Sequence, residues 1–115
     1  QLDAGQLRGA RDEFTAFLRD HPNHPLADNA LYWMGETWYG QSLWLRSARV
    51  FGQVVERYPQ GNKVPDAMLK TGLCYLNLGE QKLARDTFEQ LISMYPGTPT
   101  ARIARKKLAK LESGS

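Results

Sequence analysis

Two histidines and one cysteine are the residues of this chain best suited to catalysis or to metal binding. His21 and His24 lie three residues apart beside prolines, and Cys74 is the single cysteine. The His-x2-His spacing could contact a metal ion, but structural zinc needs four ligands and no third one lies nearby in the sequence. Cys74 falls within an apolar helical stretch, where a free thiol behaves as a small apolar side chain. We therefore expect no enzyme activity, no cofactor and no metal site.

A cluster of basic residues near the C-terminus raises a second kind of chemistry, the binding of anions. Arg102, Lys106 and Lys110 recur every four residues and so share one face of a helix. Nucleic acid or anionic lipid could bind such a face. We favour a solvated helix face, because the terminal helix of a stack must be polar outside. The sequence therefore predicts a protein partner and no nucleic acid.

Composition places these residues in one ordinary globular domain. The chain has 115 residues, of which 42% are hydrophobic and 23% charged, with a mild net charge of +3. These proportions exclude disordered and fibrous classes. No apolar run approaches the roughly 18 residues that a membrane span needs. We expect no direct membrane insertion.

A spacing of 37 residues organises the whole chain. The same pattern of small residue, phenylalanine, aromatic residue and proline occurs three times along it. The three sets are Ala10, Phe14, His21 and Pro22, then Ser47, Phe51, Tyr58 and Pro59, then Ala84, Phe88, Tyr95 and Pro96. Within each set apolar residues recur at intervals of three and four, which indicates amphipathic helices. The chain is therefore a helical repeat.

The repeat divides the chain into antiparallel helix pairs. Each complete unit has a helix A, a short turn and a helix B that ends at the aromatic-proline pair. We expect residues 1–4 to be the last turn of a helix that begins earlier, and Asp28 or Asn29 to cap helix A of the second unit. The predicted single domain, 1–112, comprises a partial repeat 1–22, repeats 23–59 and 60–96 and a capping helix 99–112, with a tail at 113–115.

Glycines inside the A helices indicate close helix packing. Gly35 and Gly72 occupy the same position of successive units. A glycine in a helix costs about 1 kcal/mol relative to alanine, so its recurrence predicts a neighbour too close for a side chain. Trp38 and Tyr75, three residues further on, are expected to be buried.

Helix pairs with this order of small, aromatic and proline residues resemble the tetratricopeptide repeat, whose usual period is about 34 residues. The resemblance implies an all-α right-handed superhelix, an α-solenoid. The three extra residues of each unit fall in the loop after Tyr-Pro, so the superhelix should be retained.

A narrower resemblance rests on four segments. These are Y-W-x-G-x3-Y at 32–39, F-x2-V-V-x2-Y-P at 51–59, D-A-x4-G at 66–72 and Y-P-G-T-x2-A-x2-A at 95–104. Together they look like the C-terminal domain of the tol-pal system protein YbgF, also called cell division coordinator CpoB. That family implies a periplasmic protein that binds TolA and coordinates outer-membrane constriction with septal peptidoglycan synthesis. BamD-like scaffolds of outer-membrane protein assembly and generic peptide-binding adaptors of the same repeat class remain alternatives.

The A helices should line the inner wall of the superhelix, because Gly35 and Gly72 mark the opposite, crowded side. Aromatic side chains there suit a peptide or a partner helix. The predicted partner-binding groove comprises Asn29, Tyr32, Trp33, Glu36, Tyr39, Asp66, Leu69, Lys70, Leu73 and Leu76. Tyr32 and Trp33 cannot both point inward, so one of them should be exposed. An apolar edge near Leu7 and Phe14 could pair with a second copy.

Overall fold

The computed structural model describes residues 3–114 and contains six α-helices in that range. They are α1 Ala4–Asp20, α2 Ala27–Gly40, α3 Trp44–Arg57, α4 Val64–Asn77, α5 Gln81–Met94 and α6 Pro99–Ser113. No strand occurs among the described residues. Each helix packs on the next one along the chain, and α4 also packs on α6. The fold is therefore an all-α solenoid, as the 37-residue repeat predicts.

Two apolar clusters form the core, one for each complete helix pair. The first is centred on Phe51 and Val54 of α3, which lie against Leu31 of α2. The second is centred on Phe88 and Leu91 of α5, which lie with Ala104 of α6. All six side chains are fully buried, so each pair has its own core and shares a boundary with its neighbours.

Glycine sets the distance between the helices of each pair. A Cβ atom added to Gly35 would lie 2.7 Å from the ring of Phe51, and one added to Gly72 would collide with the ring of Phe88. The hydroxyl of Ser47 also donates a hydrogen bond of 3.0 Å to the Gly35 carbonyl. The predicted close packing at both glycines is confirmed.

The ends of three helices differ from the sequence prediction. Asp3 accepts a hydrogen bond from the Gln6 amide and forms a capping box that begins α1, so residues 3 and 4 do not end an earlier helix. Gln1 and Leu2, the rest of that prediction, lie outside the described residues. Leu26, not Asp28 or Asn29, is the N-terminal cap residue of α2, and Asp28 bonds instead to the amide of Asn29. Helix α6 continues through Glu112 to Ser113 because its hydrogen bonding extends to Gly114, while Ser115 lies outside the described residues.

Loop contacts join successive units at the aromatic-proline corners. The hydroxyl of Tyr58, which ends α3, donates a hydrogen bond of 2.8 Å to the carbonyl of Pro22 after α1. His21 and His24 lie at the same corner, where both rings contact Phe17 with centroid distances of 5.4 and 5.3 Å. The histidines therefore pack at the end of α1. Among residues 3–114 no cluster of three metal-binding side chains occurs.

Candidate functional site

The predicted groove residues of α2 lie on the surface that faces α4. Glu36 of α2 pairs with Lys70 of α4, with 3.1 Å between carboxylate oxygen and ammonium nitrogen. The same ammonium lies 4.2 Å from the ring centre of Tyr39. Both charged side chains are about three-quarters buried. This charged and aromatic contact links successive A helices. We give the name concave groove to the predicted inner surface around it, which comprises Asn29, Trp33, Glu36, Tyr39, Lys63, Asp66 and Lys70.

The two neighbouring aromatics of α2 have opposite environments. The Tyr32 side chain is 8% exposed and contacts Phe51 with a centroid distance of 5.2 Å, whereas Trp33 is 49% exposed. The two rings contact each other edge to face at 5.7 Å. As predicted, only one of them points inward. Tyr32 therefore supports the groove from below, and Trp33 is the aromatic residue that a partner can reach.

Lys63 belongs to the groove although the sequence prediction omits it. Its ammonium lies 5.0 Å from the ring centre of Tyr32 and 5.8 Å from that of Trp33, distances at which cation–π attraction operates. The residue directly precedes α4. Helical periodicity cannot predict the position of Lys63, because the residue lies before the first turn of α4. The 37-residue repeat aligns Lys63 with Leu26, and only that alignment relates it to the second unit.

One amide oxygen of the groove is buried without a hydrogen-bond partner among the described residues, namely Oδ1 of Asn29. The buried Oε1 of Glu36 lies 3.1 Å from the Lys70 ammonium, so the ion pair satisfies it. The Asn29 oxygen is therefore an exception to the rule that buried acceptors have donors.

The groove tyrosines have perturbed acidities. Burial, followed by the charges of Glu36 and Asp66, raises the pKa of Tyr32 far above its ordinary value. Burial also raises the pKa of Tyr39, against the opposing effect of the Lys70 ammonium. Both phenols are therefore neutral at physiological pH and remain hydrogen-bond donors.

The leucines predicted for the third unit lie mostly in the core. Leu69 is 8% exposed, and Leu73 and Leu76 are half-buried in the second core cluster. Leu108 and Leu111 of α6 pack against that cluster too. Because α6 covers this side of α4, the third unit leaves only Asp66 and Lys70 of the predicted set facing the groove.

An apolar trough lies between α1 and α2, and its walls include Asn29, Trp33 and Glu36 of the concave groove. Two adjoining cavities of about 450 and 250 Å³ share Phe14 and Trp33 in their walls. Phe14 occupies the repeat position of Phe51 and Phe88, yet it is only half-buried because no helix A covers it among residues 3–114. In the two complete units, a helix A packs against the phenylalanine at the position equivalent to Phe14. The repeat therefore indicates that a helix could pack in this trough. Pairing with a second copy here stays a prediction.

The remaining predicted residues have structural surroundings. Trp38 is half-buried, not fully buried, because it lies at the surface beside the guanidinium groups of Arg11 and Arg46, 3.7 and 5.1 Å from its ring. Tyr75 is half-buried between the two core clusters. Cys74 is fully buried, and burial raises the pKa of its thiol. Its thiolate, the reactive form, is therefore disfavoured.

Most basic residues of α6 are exposed. Arg102, Lys106 and Lys110 point to solvent, and the neighbouring Arg105 donates a hydrogen bond of 2.9 Å to the carbonyl of Pro96. No helix among the described residues has the length and apolar character that crossing a bilayer requires.

Stacked helix pairs with a lined inner surface define a class of protein-interaction module. Comparison with protein families agrees with this class. One tetratricopeptide-repeat model matches residues 1–62, more than half of the chain, and a second matches residues 66–98. The chain belongs to the tetratricopeptide-repeat family, whose domains bind proteins and are typically not catalytic. No curated protein matches the chain significantly.

Proposed function

We propose that the concave groove binds a segment of another protein. The observation that supports this proposal is the half-exposed ring of Trp33 beside the Lys63 ammonium and the Glu36–Lys70 pair. An exposed tryptophan in a partly desolvated setting is the type of residue that supplies most of the binding energy at protein interfaces. The bound segment would place an apolar side chain on Trp33.

We further propose that the partner is TolA and that the protein acts in the periplasmic Tol-Pal system, coordinating outer-membrane constriction with septal peptidoglycan synthesis during cell division. Support comes from the four sequence segments at 32–39, 51–59, 66–72 and 95–104, which resemble the C-terminal domain of YbgF. Two of these segments lie within α2 and α4, and the first carries three residues of the concave groove.

Calorimetric titration with purified TolA tests both proposals, namely that the concave groove binds a protein segment and that the partner is TolA. Trp33→Ala should weaken TolA binding at least about tenfold, as expected for an interface anchor. Met94→Ala is the matched control, because Met94 is equally exposed (52%) but lies on α5. Far-ultraviolet circular dichroism should show the same helix content for both variants.

The possible outcomes distinguish the groove proposal from the TolA proposal. If TolA binds the Met94 and Trp33 variants equally well, the groove is not its site. If TolA does not bind at all, the Tol-Pal proposal is wrong. The groove proposal is then tested on proteins captured from periplasmic extract, where Trp33→Ala must reduce capture that Met94→Ala preserves.

A further inference from the structure

The beginning of helix B in the second unit is more apolar than in the other units. Leu43, Trp44 and Leu45 stand there, whereas the first unit has Gln6, Leu7 and Arg8 and the third has Glu80, Gln81 and Lys82. The outer two positions of each triplet are exposed. The residues at these two positions are polar in the first and third units and leucine in the second. Because the positions are exposed, packing within the solenoid does not require leucine there.

These leucines border a distinct cleft. Leu43 and Leu45 are 41% and 50% exposed, and with Leu78 (40%) they line a cleft of about 360 Å³ that also contains Trp44. The Trp44 ring is half-buried and contacts Tyr39 edge to face at 5.0 Å, so the floor of the cleft is held by the core. We call this surface the unit-two corner. Several large exposed apolar residues around one concavity mark an interaction site.

Charges at the unit-two corner have one sign. Arg46 and Arg49 line the cleft, and no acidic residue does so. The positions equivalent to Arg49 are Asp12 and Asp86, so the charge is reversed in this unit alone. In the part of the chain that the structure describes, neither guanidinium is paired with a carboxylate. Both are available to an acidic partner, with which arginine forms strong, often bidentate, hydrogen bonds.

The backbone of the corner is also unusual. Ser42 has a φ of +59°, in the left-handed region. The equivalent residue of the third unit is Gly79, whose φ is +78°. A non-glycine residue in this region is strained, and such strain concentrates at functional sites. The turn orients Leu43 through a hydrogen bond from its amide to the carbonyl of Trp38.

We propose that the unit-two corner is a second docking site, for an acidic amphipathic segment of another protein. Leucine-type side chains of that segment fill the cleft over Trp44, and its carboxylates pair with Arg46 and Arg49. The small size of the cleft, about 360 Å³, favours a protein segment over a membrane, which would need a broad apolar face. The cleft shares no lining residue with the concave groove, although Trp44 contacts Tyr39 of that groove.

Synthetic peptides test the proposal. One 14-residue helical peptide carries leucines at spacings of three and four with glutamates beside them, a second replaces each glutamate by lysine, and a third replaces each leucine by serine. We expect only the first to shift amide resonances at Leu43, Leu45 and Leu78 in heteronuclear NMR spectra of the labelled protein. If the lysine peptide bound equally well, the arginines would not contribute to binding and the proposal would be wrong.

The repeat itself supplies variants that the fold tolerates. Leu43→Glu installs the residue of the third unit, and Arg49→Asp installs that of the first and third. We expect Leu43→Glu to weaken the peptide about tenfold and Arg49→Asp to weaken it severalfold and flatten its salt dependence. Ile103→Glu and Arg102→Asp on α6 are matched controls and should bind normally, since Ile103 is exposed to a similar extent (42%).

Other occupants give distinct results. Shifts at the corner that grow with protein concentration alone would show a second copy, and binding to anionic vesicles without binding to the acidic peptide would show a membrane. Either result would overturn the proposal. Trp33→Ala should leave peptide binding unchanged, so failure at the corner is distinguishable from failure of the concave groove.

Discussion

At the scale of single residues, one contact recurs in both complete units: an aromatic ring lies on a glycine of the partner helix. Phe51 lies on Gly35 and Phe88 on Gly72, sixteen residues apart in each case, and both rings are fully buried. The absence of a Cβ lets the helices approach until the ring contacts the backbone. The resulting burial of a phenylalanine outweighs the roughly 1 kcal/mol that a helical glycine costs.

Alanine at either glycine should destabilise the domain. Gly35→Ala and Gly72→Ala each place a methyl group inside the volume of a buried ring, and overpacking of this kind costs about 1–3 kcal/mol. Gly52→Ala is the control, because nothing lies within 4 Å of its Cβ position in α3. That variant should gain up to about 1 kcal/mol from helix propensity. Urea unfolding measures all three, and a neutral effect at both Gly35 and Gly72 would contradict the close-contact explanation.

The groove shows how far residue-level prediction reaches. Helical periodicity predicts that Trp33 and Glu36 lie on one face of α2, because that depends only on residues per turn. It cannot tell how deep a side chain lies: Tyr32 and Leu69 are buried, and Lys63 was missed. Depth is set by the neighbouring helices, namely α3 beneath Tyr32 and α6 beside Leu73, and these contacts are not local in sequence.

At the scale of elements, both A-to-B turns close in the same way. The amides of Ser42 and Leu43 bond to the carbonyls of Tyr39 and Trp38, and those of Gly79 and Glu80 bond to the carbonyls of Leu76 and Tyr75. This is the Schellman arrangement, whose central residue has a positive φ. The turns differ in that residue, which is serine in the second unit and glycine in the third.

Ser42→Gly should stabilise the domain by about 1 kcal/mol, because glycine adopts the left-handed conformation without the steric cost that serine carries. Gly79→Ala should destabilise it by a similar amount. Thermal unfolding of both variants measures the pair of effects. A loss of stability for Ser42→Gly would mean that the serine side chain contributes more to the turn than its strain removes.

Helix boundaries were predicted less well than helix positions. The stripes of α3, α5 and α6 were clear from sequence, but the capping box at Asp3 was missed, and Asp28 was assigned to a cap it does not form. Several polar residues near a helix start compete for its free amides, and the tertiary setting decides among them. Asp28 is instead buried beside Gly61 of the next loop.

At the scale of the whole molecule, the repeat determines the architecture because each helix contacts mainly its neighbours in sequence. A 37-residue period therefore predicted the solenoid without knowledge of long-range pairing. What it did not predict are the features in which one unit differs from the others. The open trough against α1 and the apolar unit-two corner depend on which residue replaces which at equivalent positions.

Nearest-neighbour packing also predicts uneven stability along the chain. Helix α1 fully buries only Leu18, whereas α2, α3 and α4 each bury at least five residues. A helix with little buried surface opens locally at a free energy below that of global unfolding. Native-state hydrogen exchange should therefore show α1 amides exchanging at least about tenfold faster than those of α3 and α4, which corresponds to roughly 1.4 kcal/mol.

A stabilised α3 separates local opening from global unfolding. Gly52 lies inside α3 with open space around its Cβ position, so Gly52→Ala should raise the helix propensity of α3 by about 1 kcal/mol. If α1 opens independently, this variant slows exchange in α3 severalfold and leaves α1 nearly unchanged, because α3 stays folded when α1 opens. Equal slowing of both helices would mean that the domain unfolds as one unit, and the nearest-neighbour description would then be wrong for a stack this short.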